Sequence, residues 1–86
     1  MWIRRRRPPR KVTLYSKPGC HLCEEALALL LQLRRRYPME IMEVDITRDA
    51  ALYRAYDIRI PVIVIDGERE LDAPIEEAVL RRALRG

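Results

Sequence analysis

Residues 12–23 decide the fold, and they read Val-Thr-Leu-Tyr-Ser-Lys-Pro-Gly-Cys-His-Leu-Cys. The first four, Val12–Tyr15, are rich in β-branched and aromatic side chains, which predicts a short strand. The next four, Ser16–Gly19, are typical of a turn. A helical pattern follows at once. The segment therefore predicts a strand, a tight turn and a helix that begins near Cys20 or His21.

Two cysteines three positions apart stand at the start of that predicted helix. Free N–H groups and the positive end of the helix dipole favour a thiolate over a thiol at Cys20. Cys23 lies one turn further along, within reach of Cys20 and more shielded from solvent. An exposed attacking thiol beside a shielded resolving thiol suits thiol–disulfide exchange. The spacing therefore predicts a catalytic dithiol, with Cys20 as nucleophile and Cys23 as resolving residue.

The same Cys-x-x-Cys spacing is compatible with other chemistry. Structural zinc needs about four ligands, whereas this chain has no third cysteine and only one histidine, His21. We therefore expect no metal site within one chain. A metal ion or iron–sulfur cluster shared between two chains is the alternative function, in which the domain is a binding module. Two inert buried thiols are a third interpretation, although a helix start behind a Pro-Gly turn is seldom a core position.

Downstream of the cysteines the pattern predicts a β-α-β unit. Apolar residues recur three and four positions apart, so the helix should continue until Pro38 stops it. A second strand is expected over Ile41–Ile46, with Met42, Val44 and Ile46 sharing one face. The two strands would be parallel and joined by a right-handed crossover.

The second half of the chain predicts a short helix, a hairpin and a final helix. Three segments carry the pattern: a helix over 47–56, a strand over Pro61–Ile65 buried on both faces, and a returning strand over Glu68–Leu71. Asp66-Gly67 is a strong hairpin signal, and Asp72 or Ala73 should cap the last helix. The order β-α-β-α-β-β-α predicts an α/β fold, with a four-stranded mixed sheet and helices on both faces.

Charge is distributed unevenly along the 86 residues. Six of the 17 basic residues, Arg4–Arg7, Arg10 and Lys11, stand in the first 11 positions without any acid. In the remainder eleven basic residues face thirteen acidic ones, a net charge of −2. We therefore predict a basic flexible arm over residues 1–11 and one mildly acidic domain over residues 12–86. This charge argues against nucleic acid as a partner, and we expect a monomer.

Length and cysteine count limit the class of protein further. No apolar run is long enough to cross a membrane, so no membrane partner is expected. No apolar segment of a secretory signal follows the first arginines. Two cysteines are too few for the disulfide framework of small secreted domains. These features predict a cytoplasmic protein in a reducing compartment.

Three segments resemble the glutaredoxins and glutaredoxin-like proteins of the thioredoxin superfamily. Residues 12–23 are similar to the family's first strand, its tyrosine-serine-lysine turn and its Cys-x-x-Cys. Ile58–Ile63 resembles the segment where the family carries a cis-proline that faces the dithiol. The Asp66-Gly67 hairpin and the final helix complete the likeness from Val12 to Leu84. The resemblance implies a thioredoxin-like fold and a thiol–disulfide oxidoreductase.

The resemblance also implies roles for individual residues. Cys20 matches the nucleophile and Cys23 the resolving cysteine. Pro61 matches the cis-proline, with a trans proline at a strand start as the alternative, and the backbone at Ile60 would pair with an extended substrate or with glutathione. Lys17 matches the basic residue before the dithiol, which would stabilise a thiolate or meet a glutathione carboxylate. As an alternative, Lys17 is a solvated loop lysine.

His21 is a candidate for tuning the dithiol. As an imidazolium beside Cys20, it would lower the pKa of that thiol and stabilise the reduced form. The alternative is a solvent-facing residue in the first helical turn.

The sequence departs from the family's pattern at two places. Glutathione-using members carry a Gly-Gly turn after the fourth strand, whereas residues 70–74 contain no glycine. Asp72 would then either meet the α-amino group of glutathione or cap a helix. Leu22 replaces the usual aromatic residue between the cysteines. The chain is thus closest in pattern to the small bacterial glutaredoxin-like proteins, with no bound cofactor and glutathione as a possible co-substrate. The sequence predicts reduction of protein or small-molecule disulfides, with recycling by glutathione or a reductase.

Overall fold

The structure, a computed structural model, describes residues 8–86. It contains four strands, namely β1 (Arg10–Ser16), β2 (Met39–Asp45), β3 (Val62–Ile65) and β4 (Arg69–Asp72). Its three α-helices are α1 (His21–Leu33), α2 (Ala50–Tyr56) and α3 (Glu77–Arg85), and a 3₁₀ turn, Ile46–Arg48, precedes α2. The predicted order β-α-β-α-β-β-α is confirmed.

The strands form one mixed sheet in the order β2-β1-β3-β4. β1 and β2 run parallel, whereas β3 is antiparallel to both β1 and β4. The apolar run of β3 occupies an interior position of the sheet, and its neighbours Val62 and Ile63 are both fully buried although they point to opposite faces. A strand covered on both faces is what the continuous apolar run predicts.

Helices cover both faces of the sheet, as predicted. On one face, Leu14 of β1 and Ile63 of β3 lie in a core cluster with Leu30 of α1 and Leu80 of α3. On the other face, Tyr15 stacks on Tyr56 of α2, with ring centroids 4.6 Å apart. The main core therefore anchors α1, the helix that carries both cysteines, against the middle of the sheet.

β1 begins two residues before the predicted domain boundary at position 12. Arg10 lies 2.8 Å from Asp66 through an ion pair, and the N–H of Lys11 donates to the other carboxylate oxygen at 2.9 Å. Asp66 and Gly67 have positive φ angles of 54° and 69°, as the central residues of a type I′ turn do. This hairpin carboxylate draws Arg10 and Lys11 into the sheet. The rest of the predicted arm, apart from two exposed prolines, lies outside the described residues.

β2 begins and ends earlier than the strand predicted over Ile41–Ile46. Met42 is 64% exposed, whereas Met39 is buried and Ile41 packs against the core. Ile46, predicted to share a strand face with Met42 and Val44, lies in the 3₁₀ turn after the strand. Its burial therefore carries no information about which face of β2 points inward.

The last helix also begins later than predicted. Glu76, rather than Asp72 or Ala73, occupies the N-cap position of α3, without a side-chain capping hydrogen bond. Asp72 is instead the last residue of β4, where its carboxylate accepts a hydrogen bond from Arg59 Nε at 3.1 Å. The guanidinium of Arg59 thus binds the carboxylate of Asp72, which the local sequence pattern predicts to cap the helix.

Candidate dithiol active site

The turn before α1 positions Cys20 at the helix N-terminus. Gly19 adopts a φ of 75°, a conformation that glycine takes without steric cost. The N–H of Cys20 donates to the carbonyl of Lys17 at 3.3 Å, which closes the turn. Cys20 is the N-cap residue, and its Sγ atom accepts from the N–H of Cys23 at 3.2 Å. A backbone donor and the helix dipole therefore both point at the Cys20 sulfur.

The two cysteines differ in accessibility. Cys20 is half-buried at the mouth of the turn, while Cys23 is only 2% exposed on the inner side of the first helical turn. Their Cα atoms lie 5.2 Å apart and their sulfur atoms form a disulfide. This thioredoxin-like arrangement of a Cys-x-x-Cys pair in a disulfide is consistent with redox chemistry.

A groove runs beside the dithiol and reaches Pro61. Leu22, Glu25 and Leu29 of α1 form one side, while Pro61 and Pro74 form the other, around a volume of about 340 Å³. Pro61 is buried, and the Ile60–Pro61 peptide bond is cis. The structure thus places the proline segment across a groove from the helix that carries the cysteines.

Part of the backbone at Ile60 is already used. Its N–H donates to the carbonyl of Tyr56 at 3.0 Å, an extension of the C-terminal turn of α2. Any strand-like pairing with a substrate at Ile60 therefore depends on its carbonyl oxygen.

This geometry matches a known family. Residues 11–85 match the family model of the glutaredoxin-like domain (DUF836). The chain belongs to this family. Among solved structures, a protein from X. campestris is 40% identical, covers 86% of this chain and 95% of its own, and superposes with a TM-score of 0.75. A protein from Nitrosomonas europaea is 30% identical over 94% of this chain and 98% of its own, with a TM-score of 0.81.

The glutaredoxin-like domain also shares its fold with thioredoxins. A thioredoxin from Halobacterium salinarum has a TM-score of 0.69 over 88% of this chain and 72% of its own, at 21% identity. At that identity the likeness concerns the fold alone. The predicted thioredoxin-like fold and the predicted family are both confirmed.

Lys17 of this glutaredoxin-like domain is held by a carboxylate. Its Nζ atom lies 3.4 Å from Asp57 Oδ1, and both side chains are about one third exposed. Asp57 directly follows α2, so the pair ties the turn before Cys20 to the segment that leads to Pro61. Sequence reasoning missed Asp57 because no local pattern connects it with a lysine 40 positions earlier.

His21 lies at the surface of the first turn of α1. Its side chain is 85% exposed, and Nε2 is 3.5 Å from Glu25 Oε2, one turn along the helix. The nearest recorded partner of the imidazole is thus a carboxylate. The tuning role of His21 stays a prediction.

A second ion network, also missed by sequence reasoning, braces the segment before Pro61. Arg59 contacts the carboxylates of Glu70 and Asp72 on β4, and its guanidinium lies 5.3 Å from the ring centroid of Tyr56. The carbonyl of Arg59 accepts from the N–H of Ala73 at 3.3 Å. The only hint of this network in the sequence is the alternation of apolar, basic and apolar residues at Ile58, Arg59 and Ile60.

Electrostatic shifts near the site follow from these contacts. Burial raises the pKa of Tyr56, with further contributions from Glu70 and from Tyr15. Hydrogen bonds from Thr47 lower the pKa of Asp45, so that carboxyl stays ionised near neutral pH. The site is therefore bordered by an un-ionised phenol and by charged carboxylates.

Two kinds of feature are absent from residues 8–86. That part of the chain holds no group of three or more histidine, cysteine or acidic side chains able to bind a metal ion. It also contains no helix with the length and apolarity to span a membrane.

Proposed function

We propose that this protein is a thiol–disulfide oxidoreductase that reduces protein or small-molecule disulfides. One observation carries the proposal: Cys20 caps α1, its sulfur accepts a backbone N–H at 3.2 Å, and its partner Cys23 is buried directly behind it. The same N–H and the helix dipole stabilise a thiolate at Cys20 in the reduced protein.

The reaction proceeds by two sulfur exchanges. The Cys20 thiolate attacks one sulfur of the substrate disulfide and expels the other as a thiolate, which forms a mixed disulfide. The Cys23 thiol loses its proton and attacks the Cys20 sulfur, which releases the second substrate thiolate. The protein is left with the Cys20–Cys23 disulfide and has transferred two electrons and two protons.

The difference in burial between the two cysteines assigns the roles of nucleophile and resolving residue. Cys20 is the more accessible sulfur and meets the substrate first, whereas Cys23 is only 2% exposed. A buried thiol close to the nucleophile reacts with the mixed disulfide faster than any thiol from solution.

The groove supports binding of an extended substrate. Leu22 and Pro61 line its two sides next to the dithiol, and the Ile60 carbonyl offers a strand-like acceptor to a substrate N–H. Lys17, held at the edge of the turn by Asp57, contributes a positive charge close to Cys20. We assign Lys17, Ile60 and Pro61 to substrate binding on this basis.

The proposal includes a cytoplasmic setting. A reducing compartment keeps thiols reduced, as a disulfide reductase requires, and glutathione or a flavoprotein reductase would restore the dithiol. We propose that the protein acts as a monomer without a resident cofactor.

A coupled assay tests the proposal. Reduction of bis(2-hydroxyethyl) disulfide by dithiothreitol or glutathione is measured with the intact protein and with the variants Cys20→Ser and Cys23→Ser. We expect Cys20→Ser to abolish turnover and Cys23→Ser to stop the dithiol cycle after the first exchange. Full activity of Cys20→Ser with none in Cys23→Ser would contradict the role assignment. A coloured dimer with metal at half stoichiometry would instead favour a shared cluster.

A further inference from the structure

Acidic side chains surround the dithiol and its groove. We call this region the dithiol surface and define it by the groove, the turn before α1 and the two ion networks that brace them. Its carboxylates belong to Glu24, Glu25, Glu43, Asp45, Asp57, Glu70 and Asp72. Its permanent cations are Lys17 and Arg59. The region that a substrate disulfide must approach is therefore negative.

Both cations of the dithiol surface are already bound to carboxylates. Lys17 lies 3.4 Å from Asp57, and Arg59 contacts both Glu70 and Asp72. An anionic substrate group would have to displace one of these carboxylates. The side chains that line the groove are apolar apart from Glu25.

The segment after β4 has few groups left to bind glutathione. Glutathione carries a carboxylate at each end and an α-ammonium group at one of them, so it needs N–H or cationic donors and one acceptor. The N–H of Ala73 is used by the carbonyl of Arg59 at 3.3 Å, and Pro74 has no N–H. The carboxylate of Asp72, a candidate acceptor, is occupied by Arg59 at 3.1 Å.

Among the described residues, a cluster of arginines lies at the end of the sheet away from the dithiol. The turn after α1 and the last turn of α3 bring Arg36 and Arg85 together beside Tyr37 and Arg10. A hydrogen bond from Arg81 lowers the pKa of Tyr37, and Arg36 and Arg85 add to the effect. Residues 8–86 carry 13 basic and 13 acidic side chains, so the formal net charge of +4 comes from Arg4–Arg7, outside the described residues. Within the described residues a substrate near Cys20 meets carboxylates, whereas Arg36 and Arg85 lie elsewhere.

We infer that the dithiol reacts preferentially with disulfides whose flanking groups are cationic or apolar, and that it discriminates against glutathione disulfide. This inference rests on the proposed function and specifies its substrate class. A disulfide between cysteines flanked by basic and apolar residues in a polypeptide fits the groove and its carboxylate border. The net charge of this basic protein would suggest the reverse preference.

The local charge selects between substrates in the first of the two sulfur exchanges. The Cys20 thiolate attacks a substrate sulfur, the substrate S–S bond breaks, and one substrate thiolate leaves. Cys23 then completes the two-electron reduction and becomes joined to Cys20. Its proton and one proton from solvent protonate the two product thiolates. Local charge acts on the approach of the substrate, so it changes the rate of this step.

Three small disulfides of different charge test the inference. Reduced protein is mixed with cystamine, a dication, with neutral bis(2-hydroxyethyl) disulfide, or with glutathione disulfide, a dianion. The rate of dithiol oxidation is followed by acid quenching, alkylation and mass spectrometry. Each rate is divided by the rate of 2-mercaptoethanol with the same disulfide, which removes differences in intrinsic reactivity.

The expected preference follows from Coulomb's law. One carboxylate about 8 Å from a substrate charge changes the rate about twofold at an ionic strength of about 0.01 M. Several carboxylates should make the normalised rate with cystamine at least about tenfold higher than that with glutathione disulfide. The ratio should fall towards one at about 1 M salt, where the Debye length is about 3 Å.

A pair of charge-matched variants separates local charge from net charge. Glu24→Gln with Glu25→Gln should lower the cystamine-to-neutral ratio about fourfold. Glu40→Gln with Glu68→Gln removes the same charge at the end away from the dithiol and should leave the ratio unchanged.

Two results would overturn the inference, and a third would overturn the proposed function beneath it. Equal normalised rates with all three disulfides, or a preference for glutathione disulfide, would show that the dithiol surface does not select by charge. An equal effect of both double variants would assign the selectivity to net charge. No reaction with any disulfide, the neutral one included, would show that the dithiol is not an oxidoreductase site.

Discussion

The stability of the reduced protein should depend on pH through one thiol. The N–H of Cys23 lies 3.2 Å from Cys20 Sγ, and α1 directs its positive end at the same atom. Both favour the thiolate in the folded state only. The pKa of Cys20 should therefore be lower in the folded protein than in the unfolded chain, where an unperturbed thiol has a value of about 8.5.

The size of the effect follows from these two contacts. A hydrogen bond to a charged acceptor stabilises by about 1 kcal/mol more than one to a neutral acceptor. A helix N-terminus adds up to about 1 kcal/mol. Since the folded-state pKa is the lower one, this stabilisation of about 2 kcal/mol is fully present above the unfolded value and is lost as the pH falls through the folded value.

Urea denaturation of two reduced variants measures this directly. Cys23→Ser retains Cys20 as the only thiol, and the double variant Cys20→Ser with Cys23→Ser keeps a hydroxyl cap that does not ionise. Between about pH 6 and about pH 9.5, the free energy of unfolding of the first variant should rise by about 2 kcal/mol relative to the second. All other titrating groups cancel in this difference. The same pH dependence in both variants would refute a thiolate stabilised by the helix.

Three further predictions concern the core, the hairpin and the histidine. Leu30→Ala, at a fully buried position of α1, should cost about 3 kcal/mol and lower the Tm by about 12–24 °C in calorimetry. Asp66→Asn removes a carboxyl whose pKa is lowered by Arg10, so it should destabilise at neutral pH, and the difference from the wild type should shrink below about pH 3 in urea titrations. His21→Gln, in a Cys23→Ser background, should raise the pKa of Cys20 slightly and change the alkylation rate less than about twofold, because the imidazole is solvent-exposed.

Each of these predictions has a contrary result. A loss of less than about 1 kcal/mol in Leu30→Ala would mean that α1 is not anchored by this core. A pH-independent effect of Asp66→Asn would mean that the ion pair with Arg10 contributes nothing. A change of more than about twofold in the alkylation rate of His21→Gln would contradict the weak effect expected of an exposed imidazole.

Local sequence patterns were sufficient to predict the secondary-structure elements that position the site. The strand, the turn and the helix start around Cys20 depend on neighbours within a few residues. The parallel β1–β2 pair and the antiparallel β3–β4 pair follow from the β-α-β unit and the Asp66-Gly67 hairpin. The burial of Cys23 follows from its place one turn into an anchored helix. These features depend on short-range patterns, so the sequence predicts them.

Long-range pairing accounts for what the sequence did not predict. Asp57 meets Lys17 across 40 positions, and Asp72 leaves its predicted role as a helix cap because Arg59 reaches it from another segment. Ile46 belongs to the 3₁₀ turn rather than to the predicted strand. The negative charge around the dithiol arises in the same way, because it is assembled from separate segments of a chain whose net charge is positive.

Trapping of the mixed disulfide tests the central claim most directly. Reduced Cys23→Ser and Cys20→Ser proteins are each mixed with excess bis(2-hydroxyethyl) disulfide, quenched with acid, and measured by intact-mass spectrometry. The account predicts a stoichiometric mercaptoethanol adduct on Cys20 in the Cys23→Ser protein, and little adduct on the buried Cys23 in the Cys20→Ser protein. Rapid adduct formation on Cys23, or none on Cys20, would contradict it.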